Sequence, residues 1–244
     1  MDHNDRFGAV GENLNFQFHV LACDAFVVRH DEEGLLALNL DERLYDAADK
    51  VCRIMTGGNY LLAESLYGKV NEPWSEGLRV NFRAGNSLFY VGGIEQLLIF
   101  RDLETDIGLI PFPKYDEAQA EFRHTFNPNW SSTIFLPGNT ETGEFTGAML
   151  EALNADSWYS TSVAYYDVVL KGKAVRDPES CEMLDIIRRS RTIDPEMAYK
   201  FINANSVFLS ALQNGSAGSM ASSFEKYRKS AEKTIERMNK KAGN

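Results

Sequence analysis

The sequence predicts an α/β fold in which strands and helices come first and a mostly helical half follows. Three observations carry this. Phe82 to Glu117, FRAGNSLFYVGGIEQLLIFRDLETDIGLIPFPKYDE, reads in order as a strand, a Gly-Gly turn, a helix, a second strand and a Pro-x-Pro exit. Asp177-Pro178-Glu179 and Asp194-Pro195-Glu196 repeat one helix-start device: an Asp cap, a proline at the first helical position and an acid in the positive first turn. Near the C-terminus, Phe224, Tyr227, Ala231, Ile235 and Met238 recur at helical spacing.

Taken in order, a polar opening leads to Asn15–Val28, an apolar, β-rich run that forms a hairpin with Leu35–Leu40 across the charged turn HDEEG. Asn39, with Glu42 three residues on, caps a helix marked by Leu44, Ala48, Val51 and Met55 and ended by Thr56-Gly57-Gly58-Asn59. Tyr60–Tyr67 reads as a turn or two of helix, and Asn71–Gly77, with Pro73, as a loop. Ser87–Val91 has the short, apolar, aromatic character of a buried strand. Gly92-Gly93 then turns the chain into a helix over Ile94–Leu103, and Asp106–Ile110 is a strand stopped by Pro111 and Pro113.

Lys114–Asn129 is polar and reads as a long crossing loop, and Ser131–Leu136 as a short strand bounded by Pro137-Gly138. Phe145, Met149, Leu150 and Leu153 predict an amphipathic helix over Gly143–Asn154. Ser157–Leu170 is helical in pattern and ends at Lys171-Gly172-Lys173. Gly215–Gly218 is a break, and Ser222 with Glu225 forms a capping box for the last helix. The Lys/Arg-rich outer face of that helix reads as solvated, because Glu225, Glu232 and Glu236 are interspersed along it.

Composition removes several classes of function. The chain has 244 residues, 44% hydrophobic and 25% charged, enough for one large or two modest domains. A formal net charge of −10 argues against a partner held through a phosphate backbone, so nucleic acid is not expected. Cys23, Cys52 and Cys181 are far apart, and His3, His19, His30 and His124 are scattered, so neither a disulfide framework nor a metal site is predicted. No run approaches the ~18 apolar residues of a membrane span, and the start lacks the pattern of a signal peptide. No P-loop, dinucleotide-binding, G-x-S-x-G or H-E-x-x-H motif occurs, and no cofactor is expected.

Four residues emerge as candidate ligand contacts. Gly93 lets a ligand approach the backbone at the turn after the strand. Glu95 falls in the first turn of the expected helix, where a carboxylate either faces a ligand or simply complements the dipole. Trp130 follows a turn, where an indole either stacks on a sugar face or packs. Tyr165 and Tyr166 are adjacent on an expected helix, so one faces the core and the other a cleft.

The segment Phe82-Arg83-Ala84-Gly85-Asn86-Ser87-Leu88-Phe89, and Gly108-Leu109-Ile110-Pro111-Phe112-Pro113 after the turn and helix, resemble the corresponding segments of extracellular solute-binding proteins of ABC transporters, the cluster that includes maltodextrin and oligosaccharide binders. Lys114-Tyr115-Asp116-Glu117, Tyr165–Lys173 and the Ser222–Lys241 helix are similar to those of a lipoprotein subgroup from gut Gram-positive bacteria. The resemblance implies a periplasmic-binding-protein-like (type II) fold, mainly the second lobe with a partial first lobe. Residues 1–126 would form most of the second lobe, 127–156 would cross to supply one strand and helix of the first, and 157–244 would return as helices. The implied function is to bind a carbohydrate between two lobes with Gly93, Glu95, Trp130 and Tyr165 among the contacts, without catalysis. The implied partners are the permease subunits of an importer, at the extracellular face of the membrane and reached through a lipid anchor. Family chains are longer and begin with a signal peptide and the bulk of the first lobe, so the chain is expected to be a C-terminal portion. The alternatives are a glycoside-active enzyme with two carboxylates in a cleft, and a non-catalytic scaffold pairing through an exposed strand edge.

Overall fold

A computed structural model describes residues 2–127, 134, 136 and 142–242. The chain is mixed α/β and helix-rich, with a small parallel sheet and no barrel among the described residues. It divides into two compact units: Met1–Gly93, Pro111–Phe126 and Ile187–Asn244 make the first, and Ile94–Ile110 with Asn127–Ile186 the second.

The first unit is organised on a strand inside what the sequence presents as a polar opening. Phe7–Gly11 (β1) is the central strand of a parallel sheet, flanked by Tyr60–Leu62 (β4) and Ser87–Tyr90 (β5) in the order β4-β1-β5. Ala9 lies opposite both Tyr60 and Phe89, and Phe7 opposite Ser87. The alternation of side chains along a strand then sorts the residues onto two faces. Ala9 and Tyr60 join the larger core, whereas Val10 and Leu61 join Ala63, Leu66 and Leu78 on the opposite face; Phe7, at the start of the strand, packs with that second cluster despite the alternation.

Helices cover the larger core. Asn15–Ala22 (α1), Glu42–Thr56 (α2), Ala204–Asn214 (α9) and Met220–Ala242 (α10) contribute Phe16, Leu44, Met55, Phe208 and Phe224, each at most 2% exposed. Phe16 and Phe208 stack with ring centroids 5.2 Å apart, and Phe208 meets Phe224 edge-on at 6.0 Å. A side chain buried to this degree contributes about 1.5–3 kcal/mol. The expected hairpin forms from shorter strands, Val28–His30 (β2) and Leu36–Leu38 (β3), paired antiparallel.

The start of the expected first strand, Asn15–Ala22, is instead α1, with six of its eight residues buried. A helix covered on most sides has no polar stripe, so its periodicity is not readable. Tyr60–Leu62 is a strand and only Ala63–Leu66 a turn of 3₁₀ helix. Asn71–Gly77 is not a loop throughout, because Pro73–Arg79 forms a wide helix continued by Val80–Arg83 (α3). Ser87–Tyr90 is a strand as expected but lies at the sheet edge, with Leu88 78% exposed. The last helix begins at Met220, and Ser222 Oγ donates back to the Ser219 carbonyl rather than serving as its cap.

In the second unit Gln96–Ile99 (α4) is all that forms of the Ile94–Leu103 helix, and Asp106–Ile110 is irregular rather than a strand. Side chains take up the backbone groups there. Arg176 binds Asp106 Oδ1 at 3.0 Å and donates to the carbonyls of Arg101 and Leu103, while the Leu109 N–H donates to Ser180 Oγ at 2.8 Å. Gly143–Tyr159 (α5) runs longer than expected, and Thr161–Val163 (α6) leads into a wide helix over Ala164–Ala174. Leu170 and Ala174 meet Leu184 of Pro178–Arg189 (α7) in this unit's core. The Ser131–Leu136 strand falls outside the described residues, apart from Ile134 and Leu136.

Candidate functional site

In an open parallel sheet, ligands bind beyond the carboxyl ends of the strands, where successive connections leave a strand in opposite directions. β1 occupies that position, since the chain runs from it to β4 on one side and then crosses to β5 on the other. Gly11 ends β1, and the turn Glu12-Asn13-Leu14 enters α1. Glu64 follows β4, and Gly92-Gly93 follow β5.

The local chemistry fixes this edge. The Glu12 N–H donates to Asn15 Oδ1 at 2.6 Å, closing the turn. The Asn13 N–H is shared between Glu64 Oε1 and Oε2 at 3.1 and 3.0 Å, tying the end of β1 to the residues after β4. A glycine is needed at position 11, because a Cβ there would collide with Asn15 Oδ1 and lie 2.6 Å from the Tyr60 hydroxyl. That hydroxyl is buried without a hydrogen-bond partner among the described residues, and Tyr60 is 8% exposed.

Burial raises the Glu64 carboxyl above the usual carboxylate range; the Asn13 N–H partly offsets this, and the charge of Glu12 adds to it. The Tyr60 phenol is pushed well above its ordinary value by burial, and the charges of Glu12 and Glu64 add to the shift. Two carboxylates and a buried phenol thus meet where a strand ends and a helix begins. They are suited to accept hydrogen bonds from hydroxyl or amino groups of a small polar ligand. Among the described residues, no group of three or more His, Cys, Asp or Glu is placed to hold a metal. An open depression in the same unit is lined by His3, Gly68, Lys69, Val70, Asn71 and Glu76, but the Glu76 carboxylate is engaged by the N–H groups of Asn71 and Glu72.

No family model, curated protein or solved structure matches the chain.

The residues singled out from sequence are placed as follows. Gly93 is exposed on the turn beyond β5 and ends the first segment of the first unit. Glu95 belongs to the second unit, precedes the four-residue α4 and accepts from its neighbour Gln96 Nε2 at 3.0 Å. Tyr165 packs edge-on against Tyr166 at 5.5 Å, both half-buried on the same apolar cluster rather than divided between core and cleft. The wide helix accounts for this, since neighbouring residues on it are separated by a smaller angle than on an α-helix. Within that unit Glu95 and Tyr165 come together: the Tyr165 hydroxyl is raised by burial first and then by the charge of Glu95. Trp130 lies outside the described residues.

Sequence reasoning passed over Glu12, Asn13, Asn15, Tyr60 and Glu64. The available signal was Phe7-Gly8-Ala9-Val10-Gly11, a small apolar run followed by two asparagines and a new apolar run. Two glycines in five residues disguised it as a loop.

Proposed function

We propose that the chain is a solute-binding component of an ABC importer that takes a carbohydrate by lobe closure, without chemistry. The observation that carries this reading is the carboxyl end of β1, where the Glu12 and Glu64 carboxylates lie close together and offer acceptors suited to sugar hydroxyls. The motif resemblance of Phe82–Phe89 and Gly108–Pro113 supports the same reading. It implies a type II periplasmic-binding-protein fold, with residues 1–126 and 157–244 in the second lobe and 127–156 crossing from the first. It also implies permease partners at the extracellular face of the membrane. Gly93, Glu95, Trp130 and Tyr165 remain proposed contacts within it.

Differential scanning fluorimetry and calorimetry against oligosaccharides, peptides and metal ions test the reading. A midpoint rise and measurable heat confined to saccharides are expected. Glu64→Gln is expected to weaken saccharide binding by about tenfold or more, since a hydrogen bond to a charged group contributes about 1.5–3 kcal/mol. Binding confined to peptides or metal ions overturns it.

One observation favours a second reading, a glycoside-active enzyme. Burial raises the Glu64 carboxyl and Glu12 lies close enough to add to the shift, and glycoside hydrolysis uses two neighbouring carboxyls of which the acid is raised. Turnover of a chromogenic glycoside, lost in both Glu12→Gln and Glu64→Gln, would establish it in place of the first.

A further inference from the structure

The sequence reading treats the basic face of the last helix as solvated because glutamates are interspersed with it. Helical spacing puts the two on separate rows, and the structure sets which way each row faces. α10 is a 23-residue helix whose buried side carries Phe224, Ala231 and Ile235 at 0%, 0% and 4% exposure. Asn239 extends that side, donating to the Leu36 carbonyl at 2.9 Å and accepting from the Leu36 N–H at 3.1 Å. These contacts fix the rotation of the helix about its axis.

With that rotation set, Lys226, Lys229, Lys233, Arg237 and Lys241 follow one another at steps of three or four residues on the side opposite the core, and all are exposed. At 3.6 residues per turn they lie within an arc of about 120° and run for about 22 Å. No glutamate falls inside that arc. Glu225, Glu232 and Glu236 form their own row on one flank, where Glu225 takes Arg228 at 2.7 Å and Glu236 takes Lys240 at 2.7 Å. The five stripe residues themselves make no hydrogen bond or ion pair with the described residues. Lys241 also complements the negative end of the helix, but the other four lie upstream of the last turn, where the dipole gives no reason for them. On a chain with a net charge of −10 this is a segregated cationic line rather than a share of the average surface.

We propose that the exposed face of α10 docks on an anionic phospholipid surface. The shape of the charge distribution selects this partner. A rod laid on a plane touches it along one line, so the stripe meets the headgroups while the acidic row, turned well to the side, stays away from them. In a nucleic-acid groove both flanks of the helix approach phosphates, and the row of Glu225, Glu232 and Glu236 would be repelled. The attraction is electrostatic, falls off within a Debye length and gains about fivefold in affinity per basic residue near the surface. The stripe carries no apolar residue to insert, so binding is peripheral and released by salt.

Co-sedimentation of the full chain with vesicles of phosphatidylglycerol mixed with phosphatidylcholine tests this, with pure phosphatidylcholine vesicles as reference. The expected result is pelleting with the anionic vesicles alone at about 0.05 M salt and release at about 0.5 M. Combining Lys229→Glu, Lys233→Glu and Arg237→Glu is expected to lower the partition coefficient by about a hundredfold or more. The neutral set Lys229→Gln, Lys233→Gln and Arg237→Gln should fall in between, with circular dichroism of both sets unchanged. A control with the same change in net charge elsewhere, Lys69→Glu with Arg101→Glu and Lys173→Glu, should stay close to the parent. No binding to anionic vesicles, or an equal loss in the control, overturns the proposal. So does retention of a duplex DNA oligonucleotide at the same salt that depends on the same three residues.

Discussion

Asp194 shows how much chemistry one buried residue carries in this fold. At 3% exposure its carboxylate accepts from the N–H groups of Val27, Val28 and Glu196 at 2.5, 3.1 and 2.9 Å, so it caps α8 (Pro195–Tyr199) and pins the start of β2. Two residues on, Glu196 accepts from the N–H groups of Ile202 and Ala204 at 3.0 and 2.8 Å, closing the turn into α9. Burial raises the first to about 6 and the second to about 7, against the pull of those N–H donors; the charge of Asp194 also raises Glu196, and that of Arg29 lowers Asp194. A folded pKa above the unfolded value of ~4 gives stability that is complete below that value and is lost as pH rises through about 6 to 7. Burial acts in the opposite sense on His19 and His124, whose rings are lowered to about 4, so their contribution is complete above ~6.5 and is lost as pH falls toward 4. Burial keeps His124 neutral; Nε2 accepts from the Phe112 N–H at 3.0 Å, so Nδ1 carries the proton and donates to Ser190 Oγ at 2.7 Å. Glu196→Gln isolates the carboxylate effect. The stability it costs, read from denaturant midpoints, is expected to shrink between pH 5 and pH 8, because parent and variant both lose the Asp194 contribution across that range while only the parent also loses that of Glu196. A cost independent of pH would remove Glu196 as the titrating group. The sequence marked Asp194 and Glu196 as a helix start; nothing in it marked them as buried.

At the scale of elements, legibility followed the contrast between two faces. α2 was read in place because Leu44, Ala48, Val51 and Met55 are buried along one side while Arg53 and Asp49 pair at 3.0 Å on the other. Its cap was misplaced by two residues. Asn39 is occupied by β-hairpin contacts, donating from Nδ2 to the Phe26 carbonyl and from its N–H to that of Val27, so Asp41 accepts from Leu44 at 2.9 Å instead. Asp41→Ala is expected to cost about 1 kcal/mol and Asp41→Asn much less, measured by urea denaturation. Equal costs would mean that the charge, not the cap, matters. The Asp-Pro-Glu starts of α7 and α8 were also read correctly, since a cap and a proline act within a few residues. α1 and α4 were not, because one is buried on most sides and the other is a single turn. α5 is a third case. Its periodic Phe145, Met149 and Leu153 predicted a helix and a helix formed, yet they are 69%, 45% and 57% exposed, so periodicity specified the element without its burial.

Across the whole molecule, composition speaks to solubility more directly than to fold. A net charge of −10 and a pI near 5.0 predict a solubility minimum close to pH 5, measurable by light scattering across pH at low salt. A minimum far from pH 5 would point to patch-driven rather than net-charge-driven association, with the α10 stripe the first patch to test. The sequence by itself determined the helix-rich α/β class, the hairpin, the span of α2, the starts of α7 and α8 and the break that precedes α10. Those signals are local: caps, prolines, glycine turns and a repeat of 3.6 residues act over a turn or two of chain. Only the tertiary structure decided that Phe7–Gly11 is the central strand, that Glu12, Tyr60 and Glu64 meet at its end, and that the basic row of α10 faces away from the core. A parallel strand has its partners about fifty to eighty residues away, and a helix has its rotation fixed by what it packs against. Neither relation is written into neighbouring residues, so both appear only when the chain is folded.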